Sequence, residues 1–333
     1  IRNMLAPGRF LFAYGVFYHE GDEHRFEAKH LVFVGRSEKD FAFERPDWWV
    51  QQIRQLGDFY LKAQFGEEEI DYRNYRTHLT AGGRHEGDYR QETDTISRLV
   101  YGFASAYLLT GDDRYLEAAE KGTDYLRDHF KAENGDDTCY WYHAIDVHGA
   151  HERKILASEF GDDFDAIPAY EQIYALAGPT QTYRITGDPR ITDDIQKTIN
   201  MFQKYFFDSK KGGYFSHVDP ITFDPRAESL DRNRSRKNWN SVGDHAPAFL
   251  INAVLATGKA EWTRMLVDCA DTIARHFPDY ENSPFVNEKF HEDWSHDQTW
   301  GWQQNRAVVG HNLKIAWNLT RVQSLSRKKE YEA

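Results

Sequence analysis

The spacing of apolar residues along this chain changes several times, and each change marks an element. Between residues 9 and 44, aromatic and β-branched residues cluster in Phe10 to Tyr18 and Arg25 to Val34, around the turn candidate Glu20-Gly21-Asp22. That pattern reads as strand, turn, strand. From Pro46-Asp47 the pattern turns helical, with Trp49, Ile53, Leu56, Phe59 and Tyr60 on one stripe. After a polar, glycine-bearing loop over 66–90, two kinds of helix alternate. Helices over roughly 92–109, 168–185, 243–256 and 305–322 are apolar over most of their circumference and belong inside. Helices over roughly 112–130, 188–207 and 260–277 carry one apolar stripe and belong at a surface.

The alternation is a repeat. Thr110-Gly111-Asp112, Thr186-Gly187-Asp188 and Thr257-Gly258-Lys259 stand at nearly even intervals, and each closes a greasy helix and opens a one-sided one. Between hairpins lie short aromatic segments, Tyr140 to Asp146 and Tyr214 to Asp219. His143, His217 and His291 follow one another at equal steps, one repeat apart. A long period with helix–turn–helix content means stacked helical hairpins in two layers. The predicted fold is all-α, an α/α toroid over residues 46–333 as a single domain, preceded by a β-rich segment over 1–45.

Repeat equivalence picks out a site. One repeat beyond Arg98 on the first inner helix stands Gln172, beside Tyr170, and one repeat further stands His245. The fourth inner helix carries His311. Four polar residues thus hold corresponding places near the starts of apolar helices, where burial is costly unless they are paired or used. The plain alternative is structural: a buried histidine satisfied by its neighbours, or Arg98 anchoring Glu92 or Asp94.

Composition narrows the functions. A net charge of −12 and a pI near 5.7 disfavour a nucleic acid or an anionic membrane as partner. The one basic run, Arg232 to Lys237, reads as a solvated loop. Cys139 and Cys269 are the only cysteines, too few for a disulfide framework, which points to a reducing, cytoplasmic setting. No apolar run approaches a membrane span, and residues 1–8 contain no signal-peptide core. Ile1 is not a translational start, so the chain is expected to begin inside a longer protein or after processing. Aromatic residues make up 15% of the chain; most suit the core, and such rings also line sugar pockets.

At the site residues the chain resembles the N-acylglucosamine 2-epimerase superfamily, which includes cellobiose and mannose 2-epimerases and aldose–ketose isomerases. Ser97-Arg98-Leu99 with Tyr101 and Phe103 is similar to the family's first inner-helix arginine pattern. Tyr170-Glu171-Gln172-Ile173-Tyr174 resembles its Tyr-x-Gln helix, and Asn240 to His245 its Asn-Thr-His-x-His segment with only the second histidine kept. Gly310-His311-Asn312-Leu313-Lys314 resembles its Gly-His-Asp-Ile-Glu motif, and Trp317 matches a family tryptophan. The similarity spans roughly residues 46–330.

The resemblance implies an (α/α)6-type toroid, incomplete here at the C-terminus: the last helices of such a barrel, among them the inner helix with the family's other catalytic histidine, are not found before Ala333, so a fragment, a ring completed by a second polypeptide and an open toroid are the readings left open. It implies a sugar 2-epimerase or aldose–ketose isomerase that removes the C2 proton of a reducing sugar by way of an enediolate. His311 is the expected acid or base, His245 its partner in ring opening or proton return, and Arg98 the oxyanion stabiliser. Tyr101, Tyr170, Gln172, Asn240 and Trp302 are the expected sugar contacts. No metal or other cofactor is required, and a homodimer is the assembly left open. Lys314 stands where the family has glutamate, which reverses the charge near His311.

Three rivals follow from the same sequence. A glycoside hydrolase of the (α/α)6 type would need paired carboxylates, for which Glu159, Asp162, Asp163, Asp165, Glu292 and Asp293 are candidates. A metal site at His291-Glu292-Asp293-Trp294-Ser295-His296 lacks the helical His-Glu-x-x-His spacing and reads better as a structural loop. The third is a non-catalytic, sugar- or protein-binding member of the superfamily.

Overall fold

The structure is a computed structural model that describes residues 5, 7–8, 10–33, 42–87, 89–158, 165–299 and 308–331, with Asn240 described by its backbone alone. The chain divides into two compact units, residues 1–58 and 59–333. In the first, strands β1 (Leu11–Glu20) and β2 (Glu23–Phe33) pair antiparallel around Gly21-Asp22. Helix α1 (Trp48–Phe65) crosses the division.

The second unit contains α2 (Thr93–Thr110), α3 (Asp113–His129), α4 (Ala169–Tyr174), α5 (Ala177–Thr186), α6 (Pro189–Met201), α7 (Ala246–Thr257), α8 (Ala260–His276) and α9 (Val309–Ser326). One layer runs in chain order, with α2 packed on α5, α5 on α7 and α7 on α9. Over it lie α3 against α2 and α5, α6 against α5, and α8 against α7 and α9. The one-sided stripe read from the sequence is the buried face of α3: Tyr115, Ala118, Ala119, Tyr125 and Leu126.

The repeated Thr-Gly-Asp has one physical job, which is to reverse the chain between layers. Gly111, Gly187 and Gly258 take φ of 68°, 66° and 67°, a left-handed conformation that costs glycine little. Their N–H groups bond back to the carbonyls of Tyr107, Tyr183 and Val254. Each preceding threonine hydroxyl donates to the carbonyl four residues earlier. Asp112 and Asp188 then cap the next helix by accepting from the N–H groups of Arg114 and Arg190. Lys259 has no acceptor to offer, and α8 starts without a side-chain cap.

Two of the inner helices depart from the regular α-coil predicted for them, and proline explains both. Pro179 has no N–H to return to Ala175, and the second inner helix breaks into α4 and α5. The Ser97 hydroxyl of α2 donates to the Ala175 carbonyl at 3.2 Å and accepts from the Gly178 N–H at 2.9 Å. Pro247 likewise has no N–H for Gly243, and the third inner helix begins with wide π-type turns over Asn240–His245. Here Asn318 of α9 donates its amide to the carbonyls of Gly243 at 3.1 Å and Asp244 at 3.3 Å. In both cases a neighbouring inner helix supplies the donor that proline lacks.

Short strands lead into the inner helices. Arg90–Glu92 pairs with Ala144–His148 just before α2, and Ile167–Pro168 pairs with His217–Val218 just before α4. Lys237–Asn238 pairs with Lys289–Phe290 just before the π-type turns. Arg98, Gln172 and His245 sit shortly after these paired strands.

Candidate active site

Arg98 lies one turn into α2. Its Nη1 is 2.7 Å from Asp94 Oδ2, and its guanidinium stands 4.4 Å above the ring centroid of Tyr174 on α4. Burial opposes its charge, but Asp94, Tyr174 and Asp244 together outweigh that cost and raise its pKa. The other side of the site is aromatic. The Tyr174 ring meets His245 edge-on, with centroids 4.2 Å apart, and Tyr170 does so at 5.6 Å.

His245 sits within the π-type turns with 12% of its side chain exposed. Its Nδ1 lies 3.2 Å from Asp244 Oδ2, without hydrogen-bond alignment. Burial pushes its pKa down to about 4; Asp244 resists the shift, while Lys314, Arg98 and His311 add to it. At neutral pH His245 is therefore a neutral imidazole. Lys314 of α9 places Nζ 2.9 Å from the other oxygen of Asp244. The positive charge expected to disturb His311 is thus spent on a carboxylate that adjoins His245.

His311, in the first turn of α9, stacks on Trp239 with centroids 3.6 Å apart and planes 14° from parallel. Its Nδ1 is 2.9 Å from Glu288 Oε1. Trp239 in turn stands edge-on to His245, with centroids 6.3 Å apart. The guanidinium and the two imidazoles from three inner helices are therefore linked through two aromatic rings: Arg98 to His245 through Tyr174, and His245 to His311 through Trp239.

The remaining sequence-derived residues divide. Tyr170 edges onto His245, and its hydroxyl reaches Glu171 Oε1 at 3.3 Å. Tyr101 follows Arg98 along the same stripe of α2 and is half-buried. Gln172 does not reach the site as a sugar contact. It has no exposed surface: its Oε1 accepts from the Trp141 N–H at 2.7 Å, and its amide donates to the carbonyls of Trp141 and Pro168, both at 3.3 Å. Its amide holds the strand Cys139–Trp141 against α4. Trp302 and the side chain of Asn240 lie outside the described residues.

Sequence reasoning missed Tyr174, Asp244, Trp239 and Glu288 as site residues. Tyr174 was legible as the fourth residue after Tyr170, on the same helix face. Glu288 had a fainter signal. Tyr140, Tyr214 and Glu288 stand at equal intervals, one repeat apart, so a carboxylate occupies the place where two repeats have a ring. A second imidazole pair was also missed. His143 Nδ1 is 2.6 Å from Glu171 Oε1. Burial alone would depress His143, but Glu171, with Glu92 and Asp94, outweighs it and raises the pKa.

Four carboxylates of this cluster have basic or imidazole partners: Asp94 with Arg98, Glu171 with His143, Asp244 with Lys314, and Glu288 with His311. Of the hydrolase candidates, Glu159, Asp162 and Asp163 lie outside the described residues. Asp165 is exposed and Glu292 is tied to Arg226 at 2.6 Å. Asp293 Oδ1 accepts from the Ser295 hydroxyl at 2.6 Å. In the loop 291–296, His291 lies 3.6 Å from Asp297. Among the described residues no three His, Cys, Asp or Glu side chains gather as a metal site, and no helix is long and apolar enough to cross a membrane.

Comparison with known proteins places these observations in a lineage. The N-acylglucosamine 2-epimerase (GlcNAc 2-epimerase) family model matches residues 75–333. A cellobiose 2-epimerase from Bacteroides fragilis is 25% identical over 185 residues, which is 54% of this chain and 38% of that enzyme. The chain therefore spans well under half the length of this curated relative. Among solved structures, a D-mannose isomerase superposes with a TM-score of 0.64 at 17% identity, over 84% of this chain and 67% of that one. A GH76 α-mannanase from Bacteroides thetaiotaomicron superposes with a TM-score of 0.55 at 11% identity, over 87% of this chain and 66% of that one. At such identities the likeness is one of fold.

Proposed function

Because the chain belongs to the N-acylglucosamine 2-epimerase family, we propose that it is a carbohydrate isomerase, a sugar 2-epimerase or aldose–ketose isomerase whose substrate is a reducing sugar. The two helical layers are read as successive hairpins of an (α/α)6-type toroid. The observation that carries the reading is the linkage of Arg98, His245 and His311 through Tyr174 and Trp239.

The chemistry asks for three things, and each group suits one. The sugar ring must open, which needs a proton moved between O1 and O5. His245, neutral at neutral pH, can donate from one nitrogen and accept at the other. The C2 proton must then leave. His311 takes it, the C2–H electron pair becomes the C1–C2 double bond, and O1 gains the negative charge. An enediolate is stabilised by a cation fixed beside it, and Arg98, half-exposed and held by Asp94 and the Tyr174 ring, is that cation. Delivery of a proton to the opposite face of C2 by a second acid, the role proposed for His245, re-forms the C1 carbonyl and gives the epimer; return of the proton from His311 to C1, with the O2 proton passed to O1 as C2=O forms, gives the ketose. Tyr101 and Tyr170 shape the sugar subsite.

The hydrolase alternative is weaker on a specific ground. A glycosidase needs a pair of carboxyls free to flank the scissile bond, whereas Asp94, Glu171, Asp244 and Glu288 are engaged by Arg98, His143, Lys314 and His311 respectively. The test is C2 proton exchange in deuterated water with mannose, glucose and cellobiose, followed by NMR. The native protein should place deuterium at C2 and His311→Ala should lose the signal. Unchanged exchange in that variant would remove His311 from the mechanism, and release of new reducing ends would favour a hydrolase.

A further inference from the structure

We infer that Glu288 is a positioning residue, fixing the tautomer and the aim of His311 in place of the glutamate that position 314 lacks. The inference rests on His311 being the base proposed above. The backbone explains why Glu288 is suited to the task. Lys237–Asn238 pairs with Lys289–Phe290, and the Trp239 N–H donates to the Glu288 carbonyl at 2.8 Å. One short ladder thereby presents two side chains to one imidazole. The indole of Trp239 lies against its face and the carboxylate of Glu288 against its Nδ1. The same segment holds the next residue of α9, because the Val286 N–H donates to Asn312 Oδ1 at 3.0 Å.

The chemical consequence follows from what a carboxylate can do. An ionised carboxylate only accepts, so Nδ1 of His311 carries the hydrogen and Nε2 keeps its lone pair. Nearly a third of the His311 side chain is exposed, against a tenth for Glu288. Glu288 is therefore a buried anchor, and the nitrogen it leaves unprotonated is the one able to receive a substrate proton. Lys314, one turn along α9, is held by Asp244 and leaves this pair undisturbed.

The decisive measurement is the imidazole tautomer of His311, read from long-range proton–nitrogen correlation spectra of labelled protein and assigned by comparison with His311→Gln. Native protein should show hydrogen on Nδ1. In Glu288→Gln, which keeps shape but can donate as well as accept, the tautomer population should shift, and Glu288→Asp should restore part of it. In the exchange assay Glu288→Gln should lower kcat about tenfold or more with KM little changed. Hydrogen on Nε2 in the native protein, or an unchanged ring spectrum in Glu288→Gln, overturns the inference. If native protein exchanges no sugar proton, the proposed reaction fails while the ring spectrum still decides the role of Glu288.

Discussion

The second and third inner helices are both broken by proline and both rescued by a donor from a neighbouring helix, yet of their repeat-equivalent polar residues, Gln172 and His245, only His245 joins the site. In the second, Gln172 sits in a regular turn ahead of the break, and strand Cys139–Trp141 takes up its amide. In the third, His245 sits inside the widened turns themselves, and its ring meets tyrosine edges and a carboxylate rather than backbone. Widened turns bond less well than α-turns and are found where a side chain must be re-aimed. The break is common to both helices; the position of the polar residue relative to it decides whether that residue builds wall or does chemistry.

The strongest way to break this comparison is to give the third helix the residue of the second. His245→Gln keeps a polar amide of similar reach but cannot relay a proton. We expect C2 exchange to fall by about 10²- to 10⁴-fold, the usual contribution of a positioned acid or base. Thermal unfolding monitored alongside separates this from a loss of fold. Exchange within a few fold of the native rate would make His245 another wall residue, like Gln172.

Stability against pH sharpens the same contrast. His245 has a pKa of about 4 in the folded chain and 6.5 unfolded. Above pH 6.5 both states hold it neutral, and its contribution is at its maximum. As the pH falls from 6.5 towards 4 the unfolded chain takes up the proton first, and about 3 kcal/mol of stability is lost. His143 has the opposite sign. Its raised pKa stabilises the fold below 6.5, and that support is lost as the pH rises through its folded value. Urea titrations between pH 4 and 7 should show a shallower acid-side loss in His245→Gln than in native protein. Parallel curves would mean that His245 is not held neutral.

How far these features were legible differs for a physical reason. The layers, the hairpin turns and the level of Arg98, His245 and His311 came from period and spacing, because helix faces and left-handed glycines are local properties of the chain. The fate of Gln172 was not local. It depends on which strand lies beside α4, and the sequence around Gln172 does not say. Glu288 is also non-local: it stands well before His311 in the chain and reaches it through a ladder formed with residues 237 and 238. By sequence Lys314 is a charge near His311, and only its pairing with Asp244 directs that charge elsewhere. The prolines were visible, but the donors that offset them, Ser97 on α2 and Asn318 on α9, lie a whole repeat away from Pro179 and Pro247.

Those two donors give the finest test. Ser97→Ala removes the partner of the Ala175 carbonyl and the Gly178 N–H, and Asn318→Leu removes the donor to the Gly243 and Asp244 carbonyls. Stranding buried backbone groups of this kind costs roughly 2 kcal/mol in each case, so urea midpoints should move alike. Activity should not. The carbonyls served by Asn318 belong to the two residues before His245, so their release changes how the widened turns aim the imidazole, and exchange should fall further than the lost stability explains. The Ala175 carbonyl and Gly178 N–H served by Ser97 lie beyond Gln172, whose side chain is already closed on a strand, and exchange should follow the folded fraction alone. Equal losses of activity in the two variants at matched stability would erase the distinction between the two breaks.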